Sequence, residues 1–199
     1  MAILVAALLV GLDQLTKYLV VNNMQLGESI PLGLGFALTH SRNTGPAFGL
    51  LRDLNVPLGG LTIDGTFLLG LLSAAVTLGL IIYLLRNGGR LGALTGTALG
   101  LVLAGAAGNM IDRFRLGYVV DFIHFRVGWF DCPVFNVADS CVVIGAALLV
   151  LASFLSDRQA EQATRGSGAS DFKRGPAPRQ HALEEMPEVP PLPPREQGE

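Results

Sequence analysis

Two aspartates stand out because each is set in a strongly apolar stretch. Asp121 lies within Val-Val-Asp-Phe-Ile at 119–123, and Asp139 ends Phe-Asn-Val-Ala-Asp at 135–139. Ionisable groups beside or inside lipid are costly and are rarely retained without a function. Two carboxylates that meet in a low-dielectric site cannot both ionise easily, so they share one proton. The pair therefore predicts hydrolysis of the aspartic protease kind at a membrane surface.

A second charged pair lies in the first apolar segment. Asp13 and Lys17 are four residues apart and share one face of a helix, an arrangement that lowers the cost of keeping both charges in or near lipid. The plainer interpretation is a lysine that extends to the interface near a helix end, with an incidental aspartate. We expect the pair to support a site rather than to react.

Two further polar clusters could contribute to the same site. The run Asn-Thr-Gly-Pro-Ala-Phe-Gly at 43–49 is prone to turns and, taken alone, is explained by a surface turn. In a helix, Asn109 and Arg113 would project from one face and Asp112 would point elsewhere; the alternative is an interfacial cluster that ends a membrane helix. Likewise, Asp139 could only cap the fourth helix and Asp121 could only end a strand.

These residues need elements that hold them at a membrane. Of the 199 residues, 50% are hydrophobic and only 15% are charged, against about 25% charged in soluble domains. Four segments are long and apolar enough to cross a bilayer, near 2–21, 65–85, 91–110 and 137–155. We predict a mainly α membrane protein with four transmembrane helices and a small β-rich extracytoplasmic platform, formed by outer segments about 22–64 and 118–136.

Charge indicates the orientation of the chain. Arg86 and Arg90 flank a short turn between the second and third helices, which predicts cytoplasmic termini. Residues 1–157 would form the membrane domain. Residues 158–199 are rich in proline and charge and are predicted to be a disordered cytoplasmic tail.

Several function classes are disfavoured. The net charge is −2 and no basic stripe is interleaved with aromatics, so nucleic acid is a poor partner. Three histidines without ligand-like spacing disfavour a metal site, and we expect no cofactor. Cys132 and Cys141 form no disulfide framework.

Four blocks, in this order, resemble the lipoprotein signal peptidase (signal peptidase II, prolipoprotein signal peptidase) family. They are Asp-Gln-Leu-Thr-Lys at 13–17, the 43–49 run, Gly-Asn-Met-Ile-Asp-Arg at 108–113 continuing into 119–123, and 135–139. The resemblance covers about residues 1–156.

The resemblance implies a function for each block. Asp121 and Asp139 would be the catalytic dyad, supported by the other matched residues: Asp13, Lys17, Asn43, Gly45, Asn109, Arg113 and Asn136. Such enzymes lie in the bacterial cytoplasmic (inner) membrane with the site near the extracytoplasmic face. They remove signal peptides from diacylglyceryl-modified prolipoproteins just before the lipidated cysteine, use no metal, and are inhibited by globomycin. Since four spans can enclose a site, we expect a monomer.

The chain departs from the family pattern at Pro46, at His124 and in the long tail. The alternative function is a small proton- or ion-translocating protein that relays charge through the same carboxylates. That function predicts acids distributed along a crossing path, whereas here the candidate residues fall at one membrane face.

Overall fold

The computed structural model of the protein describes residues 1–45, 55–58 and 61–173. Pro46, the rest of the run up to residue 49 and the tail beyond residue 173 lie outside the described residues. Within them, the order of elements is α1, β1 to β4, α2, α3, β5, β6 and α4.

Four helices carry the fold: α1 (Ala2–Asn23), α2 (Gly65–Asn87), α3 (Ala93–Leu116) and α4 (Val137–Lys173). All four contain a stretch long and apolar enough to cross a membrane. Their outward faces are rich in exposed leucine and valine, as expected of surfaces that meet lipid rather than water. The predicted four-helix membrane fold is confirmed.

α3 differs from its predicted extent. It ends at Leu116 rather than near residue 110, because Asp112 and Asn109 in its last turns are buried against other elements and can stay helical. The helix then stops at Gly117, which has φ of 76° and donates its N–H to Arg113 O at 3.1 Å. Glycine adopts this left-handed conformation without the Cβ penalty.

The outer segments form the predicted β structure. A four-stranded antiparallel sheet has the order β1-β2-β5-β6. Its strands are β1 (Ser29–Gly33), β2 (Phe36–Asn43), β5 (Val119–Val127) and β6 (Phe130–Asp131). β3 (Asn55–Leu58) and β4 (Leu61–Asp64) form a separate antiparallel pair.

Small residues let the helices approach closely around α3. A Cβ placed on Gly100 would lie 2.8 Å from Ala2 O in α1, and one placed on Gly145 would lie 2.8 Å from Ala98 O in α3. Such contacts between backbones are typical of helix packing in membranes, where the gain comes from close packing rather than from leaving water. α1 and α4 are therefore held directly against α3, which carries Asn109 and Arg113.

The chain divides into two compact units, Met1–Leu155 and Ser156–Glu199. The described part of the second unit continues α4 to Lys173, well past the predicted end of the fourth helix at 155 and into the segment predicted to be disordered. The sequence at 159–163, Gln-Ala-Glu-Gln-Ala, consists of good helix formers. The division at residue 157 stays a prediction.

Candidate active site

Asp121 is the third residue of β5 and is almost completely buried, with 2% of its surface exposed. β2 and β5 pair Ser41 with Asp121 and Asn43 with Val119. Because side chains alternate along a strand, this register places Asn43 and Asp121 diagonally on one face. Asn43 Nδ2 donates to Asp121 Oδ2 at 3.0 Å.

Asp139 lies in the first turn of α4 and does take part in capping that helix. Asp139 N donates to Asn136 Oδ1 at 2.9 Å, and Asp139 Oδ2 accepts from Asn136 N at 3.2 Å. This is a reciprocal capping box. The second carboxylate oxygen, Oδ1, accepts from Asn109 Nδ2 at 2.7 Å, so capping is only part of what Asp139 does.

Asn136 joins the two carboxylates. Its side chain is fully buried, and Nδ2 donates to Asp121 Oδ1 at 2.7 Å while the residue caps Asp139. Phe135, just before it, pairs with Ile123 of β5 through a short antiparallel bridge. That bridge brings the start of α4 to the strand carrying Asp121, which is how residues 18 positions apart in the sequence come to share a site.

Asn109 is oriented by its neighbours. Its Oδ1 accepts from Lys17 Nζ at 3.1 Å and from Asn136 Nδ2 at 3.2 Å. Because Oδ1 already accepts from two donors, the amide is oriented with Nδ2 toward Asp139. The orientation of this amide therefore depends on a cation in α1.

That cation is the centre of a buried ion cluster. Lys17 Nζ lies 2.9 Å from Asp13 Oδ2 and 2.9 Å from Asp112 Oδ2, and none of the three side chains is more than 3% exposed. Asp13 Oδ1 also accepts from Ala138 N at 2.9 Å, and Asp112 Oδ2 from Val120 N at 3.1 Å. The cluster thus accepts hydrogen bonds from two backbone N–H groups, each one residue before a dyad candidate.

The sequence reasoning gave no function to Asp112 or Gln14. Gln14 Nε2 donates to Asp112 Oδ1 at 2.9 Å, which completes the set of partners of that carboxylate. The sequence signal that could have indicated Asp112 is its position in α3, four residues after Gly108 and therefore on the same face of the helix. Gly108 provides the room, because a Cβ there would lie 2.6 Å from Asp13 Oδ2.

The remaining predicted residues lie around this core. Arg113 Nη1 donates to Asn109 O at 3.4 Å, and the charges of Asp139, Asp112 and Asp121 all act on the guanidinium. Arg113 Nε is buried without a hydrogen-bond partner in the described part of the chain. Gly45, with φ of 114°, donates its N–H to Asn43 Oδ1 at 3.0 Å and so fixes the amide that contacts Asp121.

His124 makes its side-chain contacts away from Asp121 and Asp139. It sits on the sheet, where Nε2 contacts Asp131 Oδ1 at 2.7 Å, and Arg126 Nη2 contacts Asp131 Oδ2 at 2.6 Å. Among the described residues, no cluster of three or more histidine, cysteine or acidic side chains could hold a metal ion.

The electrostatics separate Asp121 from an ordinary aspartate. Burial, followed by the negative charge of Asp139, raises the pKa of Asp121 to about 6, although the donors Asn43 and Asn136 oppose the rise. A carboxyl group that keeps its proton to higher pH beside a second carboxylate is the arrangement required for paired acid and base catalysis.

Comparison with known proteins gives consistent results. The family model described as signal peptidase (SPase) II matches residues 5–155. A lipoprotein signal peptidase of Brevibacillus brevis is 43% identical over 157 residues, which is 78% of this chain and 96% of the relative. That of Bacillus subtilis is 41% identical over 155 residues, covering 76% and 92%.

Solved structures are similar as well. Two bacterial membrane enzyme structures, at 2.3 and 1.9 Å resolution, both superpose with a TM-score of 0.64. The first is 31% identical to this chain, and the match covers 79% of this chain and 88% of that structure. The second is 32% identical, and the match covers 76% of this chain and 90% of that structure.

Proposed function

Because this chain belongs to the signal peptidase II family, and is a membrane protease that removes signal peptides from prolipoproteins, we propose that it is an aspartic endopeptidase with Asp121 and Asp139 as its dyad. The observation that supports this most strongly is the buried asparagine between them. Asn136 contacts both carboxylates, and a structural cap of α4 would need only Asp139.

The proposed mechanism divides acid and base between the two residues. Asp139, ionised and accepting from Asn109 and Asn136, takes a proton from a water held between the carboxylates. The water oxygen attacks the scissile carbonyl carbon, while Asp121 gives its proton to the carbonyl oxygen. The raised pKa of Asp121 supports this assignment, although the two protons leave in steps that belong to the pair.

The supporting residues hold this geometry. Asn43 and Asn109 each orient one carboxylate, and Arg113 supplies positive charge beside them. Positioning of this kind contributes several kcal/mol to catalysis when the groups are rigidly held.

The substrates we propose are diacylglyceryl-modified prolipoproteins, cut before the lipidated cysteine, with the lipid chains on the apolar faces of the helices. Globomycin is the proposed inhibitor, and the enzyme would act as a monomer without a cofactor.

The proposed location is supported by the positions of the helix ends. The dyad lies where α3 ends and α4 begins, whereas Arg86 and Arg90 lie where α2 ends and α3 begins. The dyad and the basic turn are therefore at opposite ends of α3. We place the basic turn and both termini in the cytoplasm, and the dyad near the extracytoplasmic face of the bacterial cytoplasmic membrane.

The alternative of a small ion translocator is not supported. A charge relay needs acids distributed across the membrane, whereas Asp13, Asp112, Asp121 and Asp139 converge in one hydrogen-bonded network. The relatives are peptidases by name.

The deciding experiment is cleavage of a purified diacylglyceryl-modified prolipoprotein, followed by gel shift, with wild type, Asp121→Asn and Asp139→Asn. We expect globomycin-sensitive cleavage by wild type and a loss of about 10²–10⁴-fold in each variant, the typical size of an acid–base contribution. The same substrate without its lipid should be cut poorly. Substantial turnover by either folded variant would show that the dyad is assigned wrongly.

A further inference from the structure

A cavity lies at the end of the bundle opposite to the dyad. Its volume is about 510 Å³, and it is lined by the start of α1, the end of α2 and the start of α3. Apolar and glycine residues dominate its lining, among them Ala2, Val5, Leu84, Leu91, Gly92 and Gly96. Among the residues that the structure describes, no acidic side chain lines it.

The cavity is not closed by neighbouring side chains. A Cβ placed on Gly88, Gly89, Gly92 or Gly96 would meet nothing within 4 Å, in contrast to Gly100, one turn further along α3, where Ala2 O lies 2.8 Å away. The start of α3 is therefore spaced away from α1, although the same helices are in close contact a turn later. An apolar space of this size in a membrane protein favours an apolar occupant over water.

Two arginines adjoin the cavity lining in the chain: Arg86 follows Leu85, and Arg90 lies between Gly89 and Leu91. Arg86 in the last turn of α2 and Arg90 in the following turn are both exposed. Among the described residues, neither guanidinium forms an ion pair with a carboxylate. Two such cations next to an apolar cavity complement a molecule with an anionic head and a hydrocarbon tail.

We propose that this cavity binds one anionic glycerophospholipid, with an acyl chain among the apolar residues and the phosphate at Arg86 and Arg90. The occupant is a lipid because, in the orientation proposed above, this end of the bundle lies at the membrane interface, where lipids are the abundant amphipathic anions. The negative charge is required because zwitterionic lipids gain less from two arginines. This site is separate from the dyad; it rests on the orientation proposed above but not on the catalytic mechanism.

The charge requirement is tested by native mass spectrometry of the detergent-solubilised full chain, titrated with phosphatidylglycerol or phosphatidylcholine. We expect wild type to retain one phosphatidylglycerol in preference to phosphatidylcholine. Arg86→Gln and Arg90→Gln should each weaken this binding about fivefold, the usual effect of one basic residue near an anionic lipid. Arg158→Gln, which removes the same charge from another part of the chain, is the matched control and should not change it.

The cavity itself is tested with a pair of glycine substitutions. Gly96→Phe would fill the cavity, whereas Gly79→Phe adds the same ring to an exposed and equally open position of α2 outside it. We expect Gly96→Phe to abolish retention of phosphatidylglycerol and Gly79→Phe to leave it intact. Retained prolipoprotein cleavage will show that each variant is folded.

Several outcomes would overturn the proposal. They are equal retention of the two lipids by wild type, unchanged binding in the arginine variants, or unchanged binding in Gly96→Phe. Displacement of the lipid by inorganic phosphate alone would show that the acyl chain contributes nothing. A dimer lost in Gly96→Phe would assign the cavity to a second copy of the chain.

Discussion

Asn136 and Asp139 cap each other at the start of α4, with backbone-to-side-chain distances of 2.9 and 3.2 Å. A helix end normally uses such a box only for stability. Here the same asparagine also donates to Asp121 at 2.7 Å. The beginning of the helix and the geometry of the dyad therefore depend on one side chain, and the two functions can be separated by substitution.

Asn136→Ser should keep the cap and lose the contact with Asp121, since serine caps helices about as well as asparagine. We expect near wild-type thermal stability but roughly 10- to 100-fold slower cleavage, the effect of leaving the buried Asp121 oxygen without its donor. Asn136→Ala should show the same catalytic loss and also be less stable by about 1 kcal/mol. Unfolding in detergent and kcat/KM measure the two effects, and equal behaviour of the two variants in both would contradict this separation.

The pH dependence of kcat/KM should show a basic limb near pH 6. Burial and the charge of Asp139 raise the pKa of Asp121 to about 6, so above that pH the free enzyme loses the proton that Asp121 must donate. The rate should fall about tenfold for each further pH unit. Asn43 lowers the pKa of Asp121, so Asn43→Ala should move the limb to higher pH. A profile that stays flat from pH 5 to 8 would exclude Asp121 as the acid.

Lys17→Met should be one of the most destabilising single substitutions in the membrane domain. It leaves Asp13 and Asp112 buried without the cation that lies 2.9 Å from each. Removing one partner from a buried ion cluster costs about 3–5 kcal/mol. The exposed pair Arg126–Asp131 is the control, because Arg126→Gln should leave the melting temperature nearly unchanged. A small effect of Lys17→Met would contradict a stabilising contribution of the buried ion cluster.

Gly105→Ala should separate α3 from α4. A Cβ at Gly105 would collide with Ala138 O and the side chain of Val142, so α4 must shift and carry Asp139 with it. We expect a loss of about 1–3 kcal/mol together with slower cleavage. Gly79→Ala, where the Cβ meets nothing within 4 Å, should be neutral or stabilising by up to about 1 kcal/mol. Similar stability of the two variants would contradict the close packing of α3 on α4.

The sequence was sufficient for those features that depend on length and local spacing. Apolar length located all four helices, and the four-residue spacing of Asp13 and Lys17 predicted the pair observed at 2.9 Å. Apolar length failed at the end of α3, because Asp112 remains helical through partners on α1 and β5. Hydropathy does not report such partners.

The position of Asn136 between the two carboxylates also depends on tertiary structure. Resemblance indicated that it supports the site, but its contact with both carboxylates requires the bridge between Ile123 and Phe135. No periodicity in either segment encodes that pairing. Side-chain alternation predicts which residues share a face of β5, whereas the partner of that face comes from a separate segment of the chain.

The contact between Asp13 and Lys17 also bears on how the protein is made. α1 is synthesised and enters the bilayer before α3 exists, so its two charges must be accommodated without Asp112 and Asn109. Because the 2.9 Å pair lies within α1 itself, the emerging helix carries no net charge from these side chains, which lowers the cost of its insertion. When α3 arrives, Asp112 joins a lysine already held in place, and the order of synthesis thereby becomes the order in which the site is assembled.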